Sequence, residues 1–172
     1  MAVREIITYG DPVLKKKASK ITVFDASVKE LFDDLLDTMY SANGVGLAAN
    51  QIGVTKMALV IDTGTFENPR VLRLANPVVA SSSREKAVFE EGCLSFPGLT
   101  EKIERPSVIT VKAQDENGEE LMIEASGLEA VALQHEIDHL NGVVFIYRMS
   151  PVKRMLHNKE LKEIKKLGKN KK

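Results

Sequence analysis

Apolar side chains recur every three or four positions between residues 27 and 40, with acidic residues on the opposite side. They lie at Val28, Leu31, Phe32, Leu35, Leu36 and Met39. This spacing predicts an N-terminal amphipathic helix with one buried face. Asn43 and Gly44 are expected to end the helix, and a glycine-rich loop continues through Gly46.

Segments with the composition of β-strands fill the middle of the chain. They cover residues 57–62, 71–75, 78–80, 107–113 and 120–124. Asn117 and Gly118 stand between the last two segments and predict a tight hairpin turn. Upstream, residues 6–14 are expected to be extended and to turn near Gly10.

Helical patterns return toward the C-terminus. A second helix is predicted over residues 128–140, and a third begins with Pro151 at its first position. Strands in the middle with helices at the ends indicate an α+β fold. We expect mixed or antiparallel β-sheets packed around the helix at 128–140, with an N-terminal helix and a C-terminal helix.

The composition is that of one globular domain. The chain has 172 residues, 44% of them hydrophobic, and neither a repeat nor a linker divides it, which favours a single domain over residues 1–172. Lys and Arg balance Asp and Glu at 24 each, which argues against a DNA-binding protein. No apolar run suits a signal peptide or a membrane span, so we expect a cytoplasmic protein without a membrane partner.

The strongest chemical signal is the sequence His-Glu-Ile-Asp-His at residues 135–139. Side chains four residues apart on a helix share one face, about 6 Å apart, so His135 and His139 can reach one metal ion. Glu136 is then close enough to act as a base on a bound water. The alternative is a chance pair of histidines. However, the apolar residues before the motif indicate a buried helix face, and burying two histidines and an acid there costs free energy unless they have partners.

A third ligand has to come from elsewhere in the chain. Cys93 is the only cysteine, so it cannot form an intramolecular disulfide and is a candidate ligand. A small buried side chain is the competing interpretation of a free cysteine. His157 lies in a charged stretch and is expected to be a surface residue.

The loop at residues 44–53 is the third candidate segment. Gly44 and Gly46 allow the backbone to approach a ligand closely, and Gln51 offers an amide donor for a developing oxyanion. The alternative is a helix cap followed by a turn. A phosphate-binding loop is disfavoured because the Gly-Lys-Ser/Thr ending is missing.

Together the three segments resemble the peptide deformylase family. That family carries Gly-x-Gly-Leu-Ala-Ala-x-Gln, Glu-Gly-Cys-Leu-Ser and Gln-His-Glu-x-Asp-His-Leu segments in this order. They stand at residues 44–51, 91–95 and 134–140 and match at every fixed position. Asp-Pro-Val-Leu at 11–14 also looks like the family's N-terminal pattern, so the resemblance extends over nearly the whole chain up to Ser150.

The resemblance implies a metal-dependent amidohydrolase that removes the N-formyl group from the formylmethionine of nascent peptides and releases formate. It implies one divalent metal per chain, natively Fe²⁺ in many members, held by Cys93, His135 and His139. A thiolate ligand also supports Zn²⁺, Ni²⁺ or Co²⁺. Glu136 is the implied base, and Gln51 with the backbone N–H of Leu94 forms the implied oxyanion hole.

Substrate-binding residues are sought near the motifs, because a methionine side chain needs an apolar pocket. The candidates are Gly44, Val45, Gly46, Phe89, Gly92, Leu128 and Val131. Arg105 and Lys102 are candidates for binding the peptide backbone. For the apolar candidates the alternative is ordinary core, and for Arg105 and Lys102 it is no binding role.

The C-terminal stretch, residues 151–172, carries nine Lys or Arg against two Glu. Such a basic helix or tail could contact ribosomal RNA, or it could simply be solvated. Other functions stay open from the residues alone. A zinc endopeptidase needs a downstream ligand, a structural zinc module needs a fourth protein ligand, and a redox sensor built on Cys93 leaves both motif histidines unexplained.

Overall fold

The N-terminal part of the fold centres on one amphipathic helix. The computed structural model describes residues 2–169. Helix α1 spans Ala26–Ser41 and begins after Asp25, whose side chain accepts a hydrogen bond from the N–H of Ser27. This confirms the helix predicted over residues 27–40. The preceding segment turns at Gly10 as expected, but residues 12–15 then form a short 3-10 helix, Pro12–Lys15, where an extended segment was expected up to Leu14.

The described part of the chain contains seven strands in two antiparallel sheets. The strands are β1 Gly46–Ala48, β2 Ala58–Asp62, β3 Val71–Ser82, β4 Lys86–Gly92, β5 Thr100–Pro106, β6 Val108–Gln114 and β7 Glu120–Ser126. The larger sheet has the order β1-β2-β3-β6-β7, and the smaller one pairs β4 with β5. The predicted α+β fold with antiparallel sheets is confirmed.

Two of the predicted strands form one continuous strand. β3 joins residues 71–75 and 78–80, and its register against β6 shifts between Ala75 and Val78. Asn76 takes a positive φ of 51° at this bulge, and its side chain bonds the N–H and the carbonyl of Ile21. These hydrogen bonds hold the irregular residue in place, so the Asn-Pro pair bends the strand without ending it.

The β4–β5 hairpin is absent from the sequence-based prediction. Its strands present charged residues at many positions, and the buried positions include Glu91 and Arg105. The alternation of apolar and polar residues that signals a strand is therefore weak, because charges occupy part of the inner face.

Strand β2 is covered by a helix on each face. Leu59 and Ile61 pack in the cluster that contains α2, Gly127–Leu140, whereas Ala58 and Val60 pack against α1. Successive side chains of a strand point to opposite faces, which explains this division. Helix α2 confirms the helix predicted over 128–140 and lies between the larger sheet and the β4–β5 hairpin.

The C-terminal region forms two helices where one was predicted. α3 spans Pro151–Leu156 and α4 spans Asn158–Lys169, with His157 at the break. Leu161 and Ile164 attach α4 to a core cluster that includes Leu14. Residues 170–172 of the predicted basic tail lie outside the described residues. Within residues 2–169, none of the helices combines the length and apolar character needed to span a bilayer.

Candidate metal centre

Cys93, His135 and His139 meet beside the second half of α2. Their ligand atoms lie within 4.8 Å of one another, and Cys93 Sγ is 3.2 Å from His139 Nε2. The two histidines are one helical turn apart on α2, and Cys93 follows directly after β4. The structure therefore brings the three predicted ligands into one cluster.

The donor set fits a divalent transition metal. One sulfur and two imidazole nitrogens suit iron or zinc and leave a position for water. Burial and the neighbouring His135 lower the pKa of His139, which keeps its ring neutral, as a metal ligand must be. Burial alone would lower the pKa of His135, but hydrogen bonds to Cys93 and Glu91 outweigh it and raise that pKa.

The ring of His135 is oriented from behind by Glu91. His135 Nδ1 lies 2.9 Å from Glu91 Oε1, and both side chains are buried. Glu91 in turn receives two hydrogen bonds from Arg105, from Nε at 2.7 Å and from Nη2 at 2.9 Å. With Nδ1 engaged by the carboxylate, Nε2 is the nitrogen left for a metal.

Glu136 is a buried carboxyl group beside the cluster. Burial raises its pKa to about 7, and its Oε2 has no hydrogen-bond partner among the described residues. Gly46 makes room for it, because a Cβ at that position would lie 2.6 Å from Glu136 Oε1. A carboxyl group that is buried, short of hydrogen bonds and shifted toward neutrality is suited to accept and return a proton.

Gln51 presents its amide donor to the same space. Its Oε1 accepts the N–H of Ala48 at 2.9 Å, which fixes the orientation of the carboxamide. Its Nε2 donates to Ser95 Oγ at 3.1 Å and lies 3.7 Å from Cys93 Sγ. Both hydrogens of this NH₂ group are therefore engaged, and the long hydrogen bond to sulfur is the one that an oxygen gaining negative charge can take over.

A cavity of about 500 Å³ opens onto the cluster. Six of the predicted substrate-binding residues line it: Gly44, Val45, Gly46, Gly92, Leu128 and Val131. Cys93, Gln51, His135 and Glu136 form its polar part, and Leu94, Pro97 and Leu99 add apolar surface. The cavity combines an apolar wall with a few convergent polar groups, as small-molecule and peptide sites do.

Three of the predicted substrate-binding residues, Phe89, Lys102 and Arg105, do not line this cavity, and Lys102 is exposed on β5. Phe89 lies on β4 opposite Ile103 and is half-buried away from the cavity. Arg105 is buried beneath the site, where its guanidinium pairs with Glu91 and Asp138. The register of β4 against β5, which the sequence does not show, directs the side chains of Phe89 and Arg105 away from the cavity.

Sequence reasoning passed over three residues that support the site. Glu91 orients His135, Ser95 accepts a hydrogen bond from Gln51, and Asp138 pairs with Arg105. All three stand inside the motifs at 91–95 and 134–140. Their position beside the ligands was the available signal.

Comparison with known proteins decides the family. Residues 3–155 match the family model of polypeptide deformylases. The chain belongs to the polypeptide deformylase family. A peptide deformylase of Thermodesulfovibrio yellowstonii is 48% identical over 163 residues, which cover 94% of this chain and 98% of that protein. One from Rhizobium meliloti is 49% identical over 155 residues, 90% of this chain and 89% of that protein.

Solved deformylase structures share the fold. The peptide deformylase of Legionella pneumophila superposes with a TM-score of 0.88 at 44% identity, covering 96% of this chain and 97% of its own. The enzyme of Thermus thermophilus gives 0.90 at 40% identity, with 96% and 99% covered. The motif segments of the deformylase family thus lie in a deformylase fold, and the cluster at Cys93, His135 and His139 is its candidate metal centre.

Proposed function

We propose that this chain is a metal-dependent peptide deformylase that hydrolyses the N-formyl group of formylmethionine at the start of nascent peptides. The observation that carries the proposal is the cluster of Cys93, His135 and His139, which adjoins a largely apolar cavity that Cys93, His135, Glu136 and Gln51 line. Formate and a free N-terminal methionine are the products. Cytoplasm, where nascent chains are made, is the proposed location.

Cys93, His135 and His139 are the proposed ligands of one divalent metal. A bound metal would lower the pKa of a water molecule toward neutrality and polarise the formyl carbonyl. Fe²⁺ is the proposed native ion, and Zn²⁺, Ni²⁺ or Co²⁺ fit the same mixed sulfur and nitrogen donors.

Glu136 is the proposed proton carrier. Its carboxylate accepts a proton from the attacking water and then returns it to the leaving amine nitrogen. Burial supports this role, because it raises the pKa of Glu136 to about 7, close to the value that suits both accepting and donating a proton.

Gln51 and the backbone N–H of Leu94 are the proposed oxyanion hole. Tetrahedral attack on the formyl carbon moves negative charge onto its oxygen, and fixed N–H donors stabilise that charge. The hydrogen bond from the Ala48 N–H to Gln51 Oε1 holds the amide in its donating orientation before substrate arrives.

The methionine side chain is proposed to lie against Val45, Leu94, Leu128 and Val131. These side chains line the cavity, and Val45 and Leu128 are exposed although they are apolar. Exposed apolar residues in a concave site are typical of a surface that an apolar ligand covers. Gly44, Gly46 and Gly92 also line the cavity, where their backbone groups are proposed to contact an extended peptide.

A formate assay on anaerobically purified protein tests the proposal. Formyl-Met-Ala-Ser should release formate at one bound metal per chain, and acetyl-Met-Ala-Ser is the matched substrate control. Metal bound without formate release would refute the proposed reaction while leaving the metal site in place.

The basic helix α4 is a proposed contact with the ribosome. Lys159, Lys162 and Lys166 are exposed on α4, and such lysines favour a phosphate backbone. Changing all three to Glu should abolish salt-dependent co-sedimentation with ribosomes. The matched control changes the exposed Lys16, Lys17 and Lys20 to Glu. Equal loss in both variants, or in neither, would refute a specific contact through α4.

A further inference from the structure

A chain of alternating charges runs from His135 to the protein surface. Its members are Glu91 on β4, Arg105 on β5, Asp138 on α2 and Arg148 at the end of the 3-10 helix Phe145–Arg148. Four separate elements therefore meet through one set of ion pairs. The chain begins at a proposed metal ligand and ends in solvent.

Each link of this chain is short. Arg105 Nη1 donates to Asp138 Oδ2 at 2.9 Å, in addition to the two hydrogen bonds that Arg105 gives to Glu91. Arg148 donates to Asp138 through Nε at 2.9 Å and Nη2 at 2.6 Å. The side chains of Glu91 and Arg105 are only 3% and 5% exposed, whereas that of Arg148 is 48% exposed.

The geometry of Arg105 sets the orientation of Glu91. A guanidinium presents its N–H groups in a rigid planar fork, so two parallel hydrogen bonds fix the plane of the carboxylate they reach. Glu91 Oε1 accepts from Arg105 Nη2 and is also the oxygen that faces His135 Nδ1. The ring of His135 is therefore aligned by a carboxylate whose own rotation is fixed by Arg105.

Arg105 also separates negative groups. Glu91 and Asp138 both contact it, and the charges of these two carboxylates also act on the buried Glu136. Without a cation among them, buried carboxylates repel one another and turn away. Cys93 would add a further negative charge when it holds a metal.

We propose that Arg105 is a positioning residue of the metal centre, which acts through Glu91 to hold the His135 ring in its ligating orientation. This inference rests on the proposed metal site and assigns to Arg105 a role in metal affinity in place of the peptide contact expected from the sequence. Lysine at this position would keep the positive charge but lose the planar guanidinium with its two parallel hydrogen bonds. Arg105→Lys therefore distinguishes the effect of orienting Glu91 from the effect of the charge alone.

Arg73 provides a matched control. It also bridges two carboxylates, Asp33 Oδ1 at 2.9 Å and Glu116 Oε2 at 3.0 Å, but it lies on β3, outside the cavity. Arg73 is 33% exposed and makes one contact to each carboxylate, whereas Arg105 is 5% exposed and makes two hydrogen bonds to Glu91. Arg73→Lys therefore controls for the loss of a bridging arginine away from the metal site, and the larger structural cost at the buried Arg105 is measured separately by thermal unfolding.

The test is Co²⁺ titration of the folded metal-free proteins against a competing chelator, with the visible absorption of Co²⁺ recorded at each step. Arg105→Lys should weaken Co²⁺ binding about 10–100-fold, the usual effect of losing a group that orients a ligand, and should change the Co²⁺ spectrum. Arg73→Lys should match the wild type in both. Thermal unfolding of the metal-free proteins reports any purely structural loss separately.

The outcomes are distinguishable. A wild type that fails to bind one Co²⁺ per chain refutes the proposed metal site itself. A wild type that binds, with Arg105→Lys equal to it in affinity and spectrum, overturns the role of Arg105. If Arg105→Lys does not fold, Glu91→Gln tests the same link from its other side, and unchanged Co²⁺ affinity there overturns the proposal as well.

Discussion

Helices α1 and α2 cover opposite faces of the same strand, yet they bury polar groups in different ways. The buried polar residues of α1 are satisfied: Asp34 accepts the N–H of Ala2 at 2.8 Å, and Thr38 Oγ1 donates to the Asp34 carbonyl at 2.6 Å. On α2, Glu136 Oε2 and His139 Nδ1 are buried without a hydrogen-bond partner among the described residues.

This difference indicates that α1 mainly stabilises the fold, whereas α2 carries the groups that take part in the proposed reaction. An unpaired buried polar group costs about 1–3 kcal/mol, so α2 carries a penalty that α1 avoids. For Glu136, which lines the cavity, a reacting molecule can supply the missing partner, and such penalties persist at sites of this kind. Substitutions of the buried polar residues of α2 should therefore change chemistry more than stability, and substitutions of the buried residues of α1 should do the reverse.

Glu136→Gln is expected to give the largest effect. The amide keeps the size of the side chain but cannot carry a proton, so the rate of formate release should fall by about 10²–10⁴-fold. Metal content and the thermal midpoint should stay close to the wild type. The measurement is kcat on formyl-Met-Ala-Ser with metal quantified in parallel. Wild-type kcat would place the proton carrier elsewhere.

Gln51→Ala should give the next largest loss. Removing one donor to the oxyanion lowers kcat by about 10²–10³-fold, with a smaller change in KM. Gln114→Ala is the matched control, because Gln114 also bonds through both ends of its amide, to Asn76 and to the Gly118 carbonyl, but lies on β6. A similar fall in kcat for Gln114→Ala would show that the Gln51 effect comes from lost structure.

Phe32→Ala tests the stabilising helix. The Phe32 side chain is fully buried where α1 packs on β2, and its truncation should lower the free energy of unfolding by about 3–5 kcal/mol. At a temperature where the variant stays folded, kcat should equal that of the wild type. Urea denaturation gives the stability and the formate assay gives kcat. A fall in kcat of the folded variant would show that α1 also affects the reaction, and it would contradict the proposed difference between α1 and α2.

The sequence predicts a structural feature well when that feature depends on residues close together in the chain, and poorly when it depends on how distant strands pair. The ligands on α2 were predictable because i and i+4 spacing on a helix fixes which side chains share a face. Phe89 and Arg105 do not line the cavity, contrary to expectation, because their direction depends on how β4 pairs with β5. The hairpin itself was missed, since its inner face carries Glu91 and Arg105 where apolar residues are the usual signal.

Substitution of His157 should give the smallest change in stability and none in kcat, unlike substitution of the histidines of α2. Its Nε2 lies 3.1 Å from Glu101 Oε2, and its Nδ1 contacts Glu160. Both hydrogen bonds raise the pKa of His157 above 6.5, and the one to Glu160 has the larger effect. Hydrogen bonds from Lys153 and His157 lower the pKa of Glu101 to about 2, so Glu101 stays ionised at neutral pH.

The sign of the pH dependence follows from the raised pKa of His157. A histidine whose folded-state pKa is raised stabilises the fold fully below its unfolded pKa of 6.5, and this stabilisation is lost as pH rises through the folded-state value. His157→Gln should therefore lower the Tm at pH 6 by no more than about 3 °C, and by less at pH 9. Its kcat should not change at either pH, because His157 only attaches the C-terminal helices to β5. A Tm deficit that grows toward pH 9 would show that the neutral ring, not the charged one, makes the stabilising contact.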